Sequence, residues 1–213
     1  RKAYSYQEIE KDIQKIFCYM KLKVLQIQGG EAFLHPYLKE IIKSVYIHGK
    51  SKGKVDEIVI ATNGKVPEPD LDLLKLLKEY DVKVRISDYS GAGIVMRDSI
   101  EKKLQVEKIR YSVYRFVSKT SEWFDMGGIG RKLDLDDDLV QSRFEQCSFK
   151  ECYTLEDGIM GKCSRSVIAQ SIQNIETVNE DYIRLRELDG PQLREKLADY
   201  VSNNRFMTVC RAC

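Results

Sequence analysis

The spacing of apolar residues switches repeatedly between two periods. From Ile9 through Ile13, Ile16 and Phe17 to Met20 they recur at helical intervals, behind a capping box formed by Ser5 and Glu8. Strict alternation follows over Val24–Gln28, with Leu25 and Ile27 opposed to Gln26 and Gln28, and it stops at Gly29-Gly30-Glu31. Pro36 opens a second helix with the stripe Leu38, Ile41, Ile42 and Val45. A second strand, Glu57–Thr62, ends in Asn63-Gly64, and Pro69 precedes a helix carrying Leu71, Leu74 and Leu77. The third strand spans Val82–Asp88 and is followed by a Gly91-Ala92-Gly93 turn and a helix through Leu104; the fourth covers Lys108–Val117. Strands alternating with helices, each strand meeting Gly, Ser, Asp or Asn at its end, predict right-handed parallel βα units with a ligand face at the strands' C-terminal ends. The segments Val24–Gln28, Glu57–Ala61, Val82–Ser87 and Ile109–Val117 are expected to be neighbours in sequence order. A closed eight-fold barrel takes about 250 residues, and the rhythm stops near Ser118, so an incomplete barrel is expected.

Past that point the pattern changes. Residues 119–146 read as a linker or lid, loop-like throughout, with Trp123-Phe124 beside Gly127-Gly128 and an acidic run Asp134–Asp138 that reads as solvated surface. Asp157-Gly158 between Cys152–Glu156 and Ile159–Cys163 predicts a two-residue hairpin turn that sets Cys152 opposite Cys163. Ser164–Asp189 shows too little apolar periodicity for a strong core. A last helix begins at Pro191 and runs toward Asn203, with Leu193, Leu197 and Val201 as its stripe. The expected organisation is a partial α/β barrel over 1–118, the linker, and a small α+β cysteine-rich extension over 147–213.

Composition narrows the function classes. The 213 residues are 43% hydrophobic, enough for a sizeable core, and the formal charge is +2 from 35 basic and 33 acidic residues. That balance argues against nucleic acid as a partner. The sequence carries neither an apolar run of membrane-spanning length nor a signal-peptide pattern at its start, so no membrane partner and a cytoplasmic location are expected. Of six cysteines, Cys18 stands alone and reads as a buried thiol, whereas Cys147, Cys152, Cys163, Cys210 and Cys213 fall in the last third. An odd set ending in Cys-x-x-Cys, without secretory signals, favours metal or iron–sulfur ligation over disulfides. The thiolate spacing suits an iron–sulfur cluster or a tetrahedral zinc. His35 and His48 are isolated and read as structural or exposed.

Two glycines let the main chain approach a ligand, and Glu31 beside them suits a cationic ammonium group. Strand alternation puts Gln26, Gln28, Arg85, Arg110, Ser112 and Tyr114 on one side of the sheet. If that side lines the barrel, it suits an anionic or polyhydroxylated substrate; the alternative is that its cations belong to structural ion pairs.

Together, Gly29-Gly30-Glu31 after the first strand, Thr62-Asn63-Gly64 after the second and Ser87-Asp88 after the third resemble the radical S-adenosylmethionine (radical SAM) superfamily, over roughly Tyr4 to Val117. The resemblance implies a partial (β/α)6 barrel in which Gly29, Gly30 and Glu31 hold the amino group of S-adenosylmethionine, and Asn63, Ser87 and Asp88 lie by its ribose. Cys147-x10-Gly158-x4-Cys163 with Cys210-x-x-Cys213 resembles the family's SPASM or twitch extension, closer to the single-cluster twitch form of aminocyclitol dehydrogenases. That implies an auxiliary 4Fe-4S cluster on Cys163, Cys210 and Cys213 with either Cys147, favoured by motif spacing, or Cys152, favoured by hairpin register. The family's Cys-x3-Cys-x2-Cys motif for the catalytic 4Fe-4S cluster is not in this sequence, and its first strand has no counterpart. The expectation is therefore an N-terminally incomplete chain that does not by itself cleave S-adenosylmethionine; the alternative is a degenerate, non-catalytic metal-binding scaffold. The full enzyme would generate a 5′-deoxyadenosyl radical that takes hydrogen from a polar, sugar-like or peptide substrate, with the substrate between barrel mouth and extension. It would act as an oxidoreductase or peptide maturase supplied by an electron donor such as flavodoxin or ferredoxin. Arg85, Arg110, Gln28 and Tyr114 are the candidate substrate residues.

Overall fold

A computed structural model describes residues 4–64, 69–89, 97–115, 134–169 and 178–213. The Gly91–Gly93 turn, Trp123-Phe124 and Gly127-Gly128 lie outside the described residues. The chain divides into two units, Arg1–Trp123 and Phe124–Cys213.

In the first unit four parallel strands, β1 (Leu22–Ile27), β2 (Val55–Thr62), β3 (Val82–Asp88) and β4 (Tyr111–Arg115), pair in the order β1-β2-β3-β4. They are joined in sequence with the helices α1 (Tyr6–Tyr19), α2 (Leu38–His48), α3 (Leu71–Glu79) and α4 (Arg97–Val106). The capping box forms as expected: the Ser5 side chain accepts from the Glu8 N–H, and Glu8 accepts from the Ser5 N–H. Helix α3 is capped by Asp70, whose side chain accepts from the Leu73 N–H; its buried stripe is Leu73, Leu74, Leu76 and Leu77, while Leu71 in the first turn is exposed. Crossovers that all advance in one direction place their helices on one face of a parallel sheet. The core shows this: Ile13 and Phe17 of α1, Ile42 and Val45 of α2, Leu74 and Leu77 of α3, and Ile100 and Leu104 of α4 pack with Ile58, Ile60, Val84 and Ile86. Leu25, Ile27, Tyr111 and Val113 join from the outer strands. Burying each such aliphatic side chain stabilises by about 1.5–3 kcal/mol, and truncating fully buried Ile60 to alanine removes about 2–5 kcal/mol. Cys18 departs from expectation: it is exposed, because it follows Phe17 by a 100° step off the buried stripe.

In the second unit the acidic run is solvated surface as expected, but its last two residues open a helix rather than a loop. Asp136 caps α5 (Asp137–Glu145) by accepting from the Leu139 N–H, and Asp137 and Asp138 occupy the first turn, where a helix end favours negative charge. Strands β5 (Thr154–Glu156) and β6 (Ile159–Gly161) form the expected antiparallel hairpin, with positive φ at Asp157 (49°) and Gly158 (75°). A third strand, β7 (Tyr182–Arg184), pairs with β6. The stretch read as weakly apolar also supplies α6 (Ser164–Ala169) and the buried Val167, Tyr182, Ile183 and Leu185. Elements of three to six residues are too short to show a period. Helix α7 (Gly190–Ser202) buries Leu193, Leu197 and Tyr200. The Tyr200 hydroxyl accepts from the Lys162 N–H (2.9 Å) and donates to the Asp181 carbonyl (2.7 Å), linking the ends of β6 and β7. Among the described residues no helix is long and apolar enough to cross a membrane.

Candidate functional site

At the C-terminal ends of β1 and β2, Glu31 caps a 3-10 turn (Ala32–Leu34), and its two oxygens serve two loops. One accepts from the Phe33 N–H (3.1 Å), the other from the Asn63 N–H (2.8 Å). A carboxylate has about four acceptor positions, so capacity remains after these bonds. Gly29 and Gly30 are exposed, neither has positive φ, and a Cβ added at either would meet nothing within 4 Å. Neither backbone strain nor crowding by the described residues requires glycine there. Gly64 differs: its φ is 70°, and its N–H donates to the Thr62 hydroxyl (3.1 Å).

Ser87 and Asp88 fall on opposite faces. Ser87 shares a side with Arg85, whereas Asp88 is buried on the side of Val82, Val84 and Ile86, as alternation dictates. On the open side Ala61, Arg85 and Ser112 lie abreast in register, and Ser87 pairs with Tyr114. The Arg85 guanidinium stands 5.5 Å from the centroid of the Tyr114 ring, itself 56% exposed. The Arg85 Nε is buried without a hydrogen-bond partner. Gln28 is exposed and accepts from the Gln26 side chain (2.5 Å). Arg110 belongs instead to an ion-pair group where β3 and β4 begin. It donates to Asp81 (2.6 Å) and Glu57 (2.7 Å), and Lys50 donates to the other Asp81 oxygen (2.8 Å). Lys50 and Arg110 hold the Asp81 carboxyl below the usual carboxylate range. For Arg110 the structural ion pair is the observed arrangement, since a guanidinium finds fixed carboxylates within reach.

The cysteines of the second unit come from separate elements. Cys147 follows α5, and its Sγ accepts from the Phe149 N–H (3.4 Å). Cys163 lies between β6 and α6, with its carbonyl accepting from the Ser166 hydroxyl (2.8 Å). Cys210 is in the C-terminal 3-10 turn (Thr208–Ala212), and Cys213 closes it through a bond from its N–H to the Cys210 carbonyl (3.1 Å). Several bonds hold this turn: Arg211 donates to the Leu135 carbonyl (2.8 Å) and to Asp137 at the start of α5, Thr208 N–H donates to Asp181 (2.8 Å), Phe206 N–H donates to Gln141 (3.1 Å), and Arg143 and Arg165 donate to the Cys213 (3.3 Å) and Ala212 (3.4 Å) carbonyls. Cys163 and Cys210 pack against Phe144, Met207 and Val209. Burial pushes the Cys210 thiol up to about 12, reinforced by the charges of Cys163, Cys213 and Cys147. Burial also raises Cys213, against the pull of Arg165 and with the push of Cys163 and Cys147. Cys147 and Cys163 therefore both bear on Cys210 and Cys213. Cys152 is exposed and is not among the thiols acting on Cys210 or Cys213; the ladder that would set it across from Cys163 stops at Thr154↔Gly161. Among the described residues no three His, Cys, Asp or Glu side chains stand close enough to hold a single metal ion.

Two buried cations flank these thiols, Lys162 and Arg165, and neither stands out in the sequence as a candidate. Burial pushes the Lys162 ammonium down, and Cys210 opposes the shift. Their only sequence sign is nearness to Cys163, because lysine and arginine are ordinarily exposed. Compared with known proteins, the chain matches no protein-family model and no curated protein at a significant level.

Proposed function

We propose that the chain is the S-adenosylmethionine-binding and auxiliary-cluster portion of a radical SAM enzyme acting on a polar, anionic or polyhydroxylated substrate, its βα sheet forming part of an incomplete barrel. The observation that carries this reading is that cysteines from separate segments are drawn together: Cys163 and Cys210 pack on one apolar cluster, Cys213 closes the turn that holds Cys210, and Cys147 follows α5, whose Phe144 belongs to that cluster. Four protonated thiols gain little from sharing a site, whereas a metal centre displaces their protons and turns repulsion into ligation. The Phe149 N–H on the Cys147 sulfur is the kind of hydrogen bond that stabilises a ligating thiolate. At the sheet, exposed Gly29 and Gly30 leave their main chain open to a methionine moiety, and Glu31 keeps acceptor capacity for its ammonium group. Asn63 and Ser87 would serve the ribose, and the Arg85 guanidinium beside exposed Tyr114 would take an anionic or hydroxyl group of the substrate. The chemistry supplied by S-adenosylmethionine and the catalytic cluster is reductive cleavage and hydrogen abstraction; the motif that holds that cluster is not among these 213 residues.

A second reading, a non-catalytic scaffold with a structural zinc, rests on the same four thiols, which agree in type and number with the ligands of an all-cysteine zinc site. Anaerobic reconstitution with iron and sulfide, followed by metal counting, tests both. The wild-type chain is expected to take up about four irons, as a 4Fe-4S cluster requires. Cys163→Ala and Cys210→Ala should lose them, and Cys152→Ala should keep them. Unchanged iron in the Cys163 or Cys210 variant would sink the ligand assignment, and stoichiometric zinc in anaerobically purified protein would favour the scaffold.

A further inference from the structure

We propose that Lys162 acts on the cysteine centre through its charge: buried beside the thiols and paired with no carboxylate among the described residues, it offsets the negative charge of a thiolate-bound cluster and raises its reduction potential. This rests on the auxiliary-cluster reading. Lys162 is 4% exposed. Its ammonium donates to the Asn203 carbonyl and stands over two aromatic rings, 5.4 Å from the centroid of Phe144 and 5.6 Å from that of Tyr200. Among the described residues it forms no ion pair with a carboxylate, so the electron-rich ring faces and one carbonyl hold the charge. Phe144 also belongs to the apolar cluster against which Cys163 and Cys210 pack, and Lys162 directly precedes Cys163 in the chain.

A buried ammonium without a counter-charge is costly, and replacing it with an apolar side chain of similar volume would ordinarily stabilise the protein. A reason to keep it appears when the four thiols are deprotonated. Four thiolates around a 4Fe-4S core with two positive charges leave a net charge of about −2, and one added electron makes it about −3, so a neighbouring cation favours the reduced form. Arg165, buried and acting on Cys213, adds to the same field.

The test is a dye-mediated redox titration of the reconstituted chain in wild-type, Lys162→Met and Lys162→Arg forms, with iron counting and urea unfolding of the metal-free proteins. Lys162→Met is expected to retain iron and to shift the midpoint to more negative potential by at least a tenfold change in the equilibrium, about 59 mV for a one-electron couple. Lys162→Arg should stay with wild type, and metal-free Lys162→Met should unfold at the same or higher urea. An unchanged potential in iron-loaded Lys162→Met overturns the proposal, as does a shift of the same size in Lys162→Arg. Loss of urea resistance in Lys162→Met marks a structural residue and also overturns it. Wild-type protein that takes up no iron overturns the cluster reading along with this one, which separates the two failures.

Discussion

Asp81 receives Lys50 and Arg110 on separate oxygens, and both cations hold its pKa down. A carboxylate with a depressed folded pKa adds stability that is fully present above its unfolded value, about 4, and is lost as pH falls through the folded value. The group is 58% exposed, so solvent screening keeps the effect small. Asp81→Asn is expected to cost about 0.2–1 kcal/mol at pH 7, with the difference vanishing in strong acid; paired urea titrations at pH 7 and pH 2 check this. Residue by residue, alternation in the sequence correctly separates Arg85 and Ser112 from Ile86 and Val113. It says nothing of which cation finds a carboxylate, because Glu57, Asp81 and Arg110 are brought together only by strand register.

The β5–β6 hairpin carries Cys163, and its turn depends on Gly158. That residue has φ 75°, and a Cβ there would come within 2.7 Å of the Arg186 side chain, which pairs with Asp157 (2.8 Å). Gly158→Ala is expected to destabilise the metal-free chain by about 1–2 kcal/mol through the left-handed backbone alone, read by urea unfolding. The Asp-Gly dipeptide makes this element legible, since few residue pairs accept two positive φ values in succession. Helix α5 is not legible in the same way. Its apolar positions reduce to Leu139, Val140 and Phe144 among acids, and the buried pair Val140 and Phe144 spans a single turn.

The two units differ in what holds them together. The first rests on a continuous aliphatic core, which is why the alternation of periods along the chain predicts its strand order directly. The second joins three-residue strands to a turn bearing two thiols, so its cohesion depends on contacts distant in sequence. Removing metal from a reconstituted chain is therefore expected to raise hydrogen exchange around Cys147, Cys163 and 207–213 while leaving β1–β4 unchanged. Equal loosening of both units would contradict that separation.

Glu31 has a mechanical consequence. With one oxygen on the turn after β1 and the other on the Asn63 N–H after β2, its side chain is a strut between two loops that the backbone joins by the longer route through α2 and β2. A cation that tugs this carboxylate pulls on both loops at once, so neither strand end can adjust to a guest without moving its neighbour.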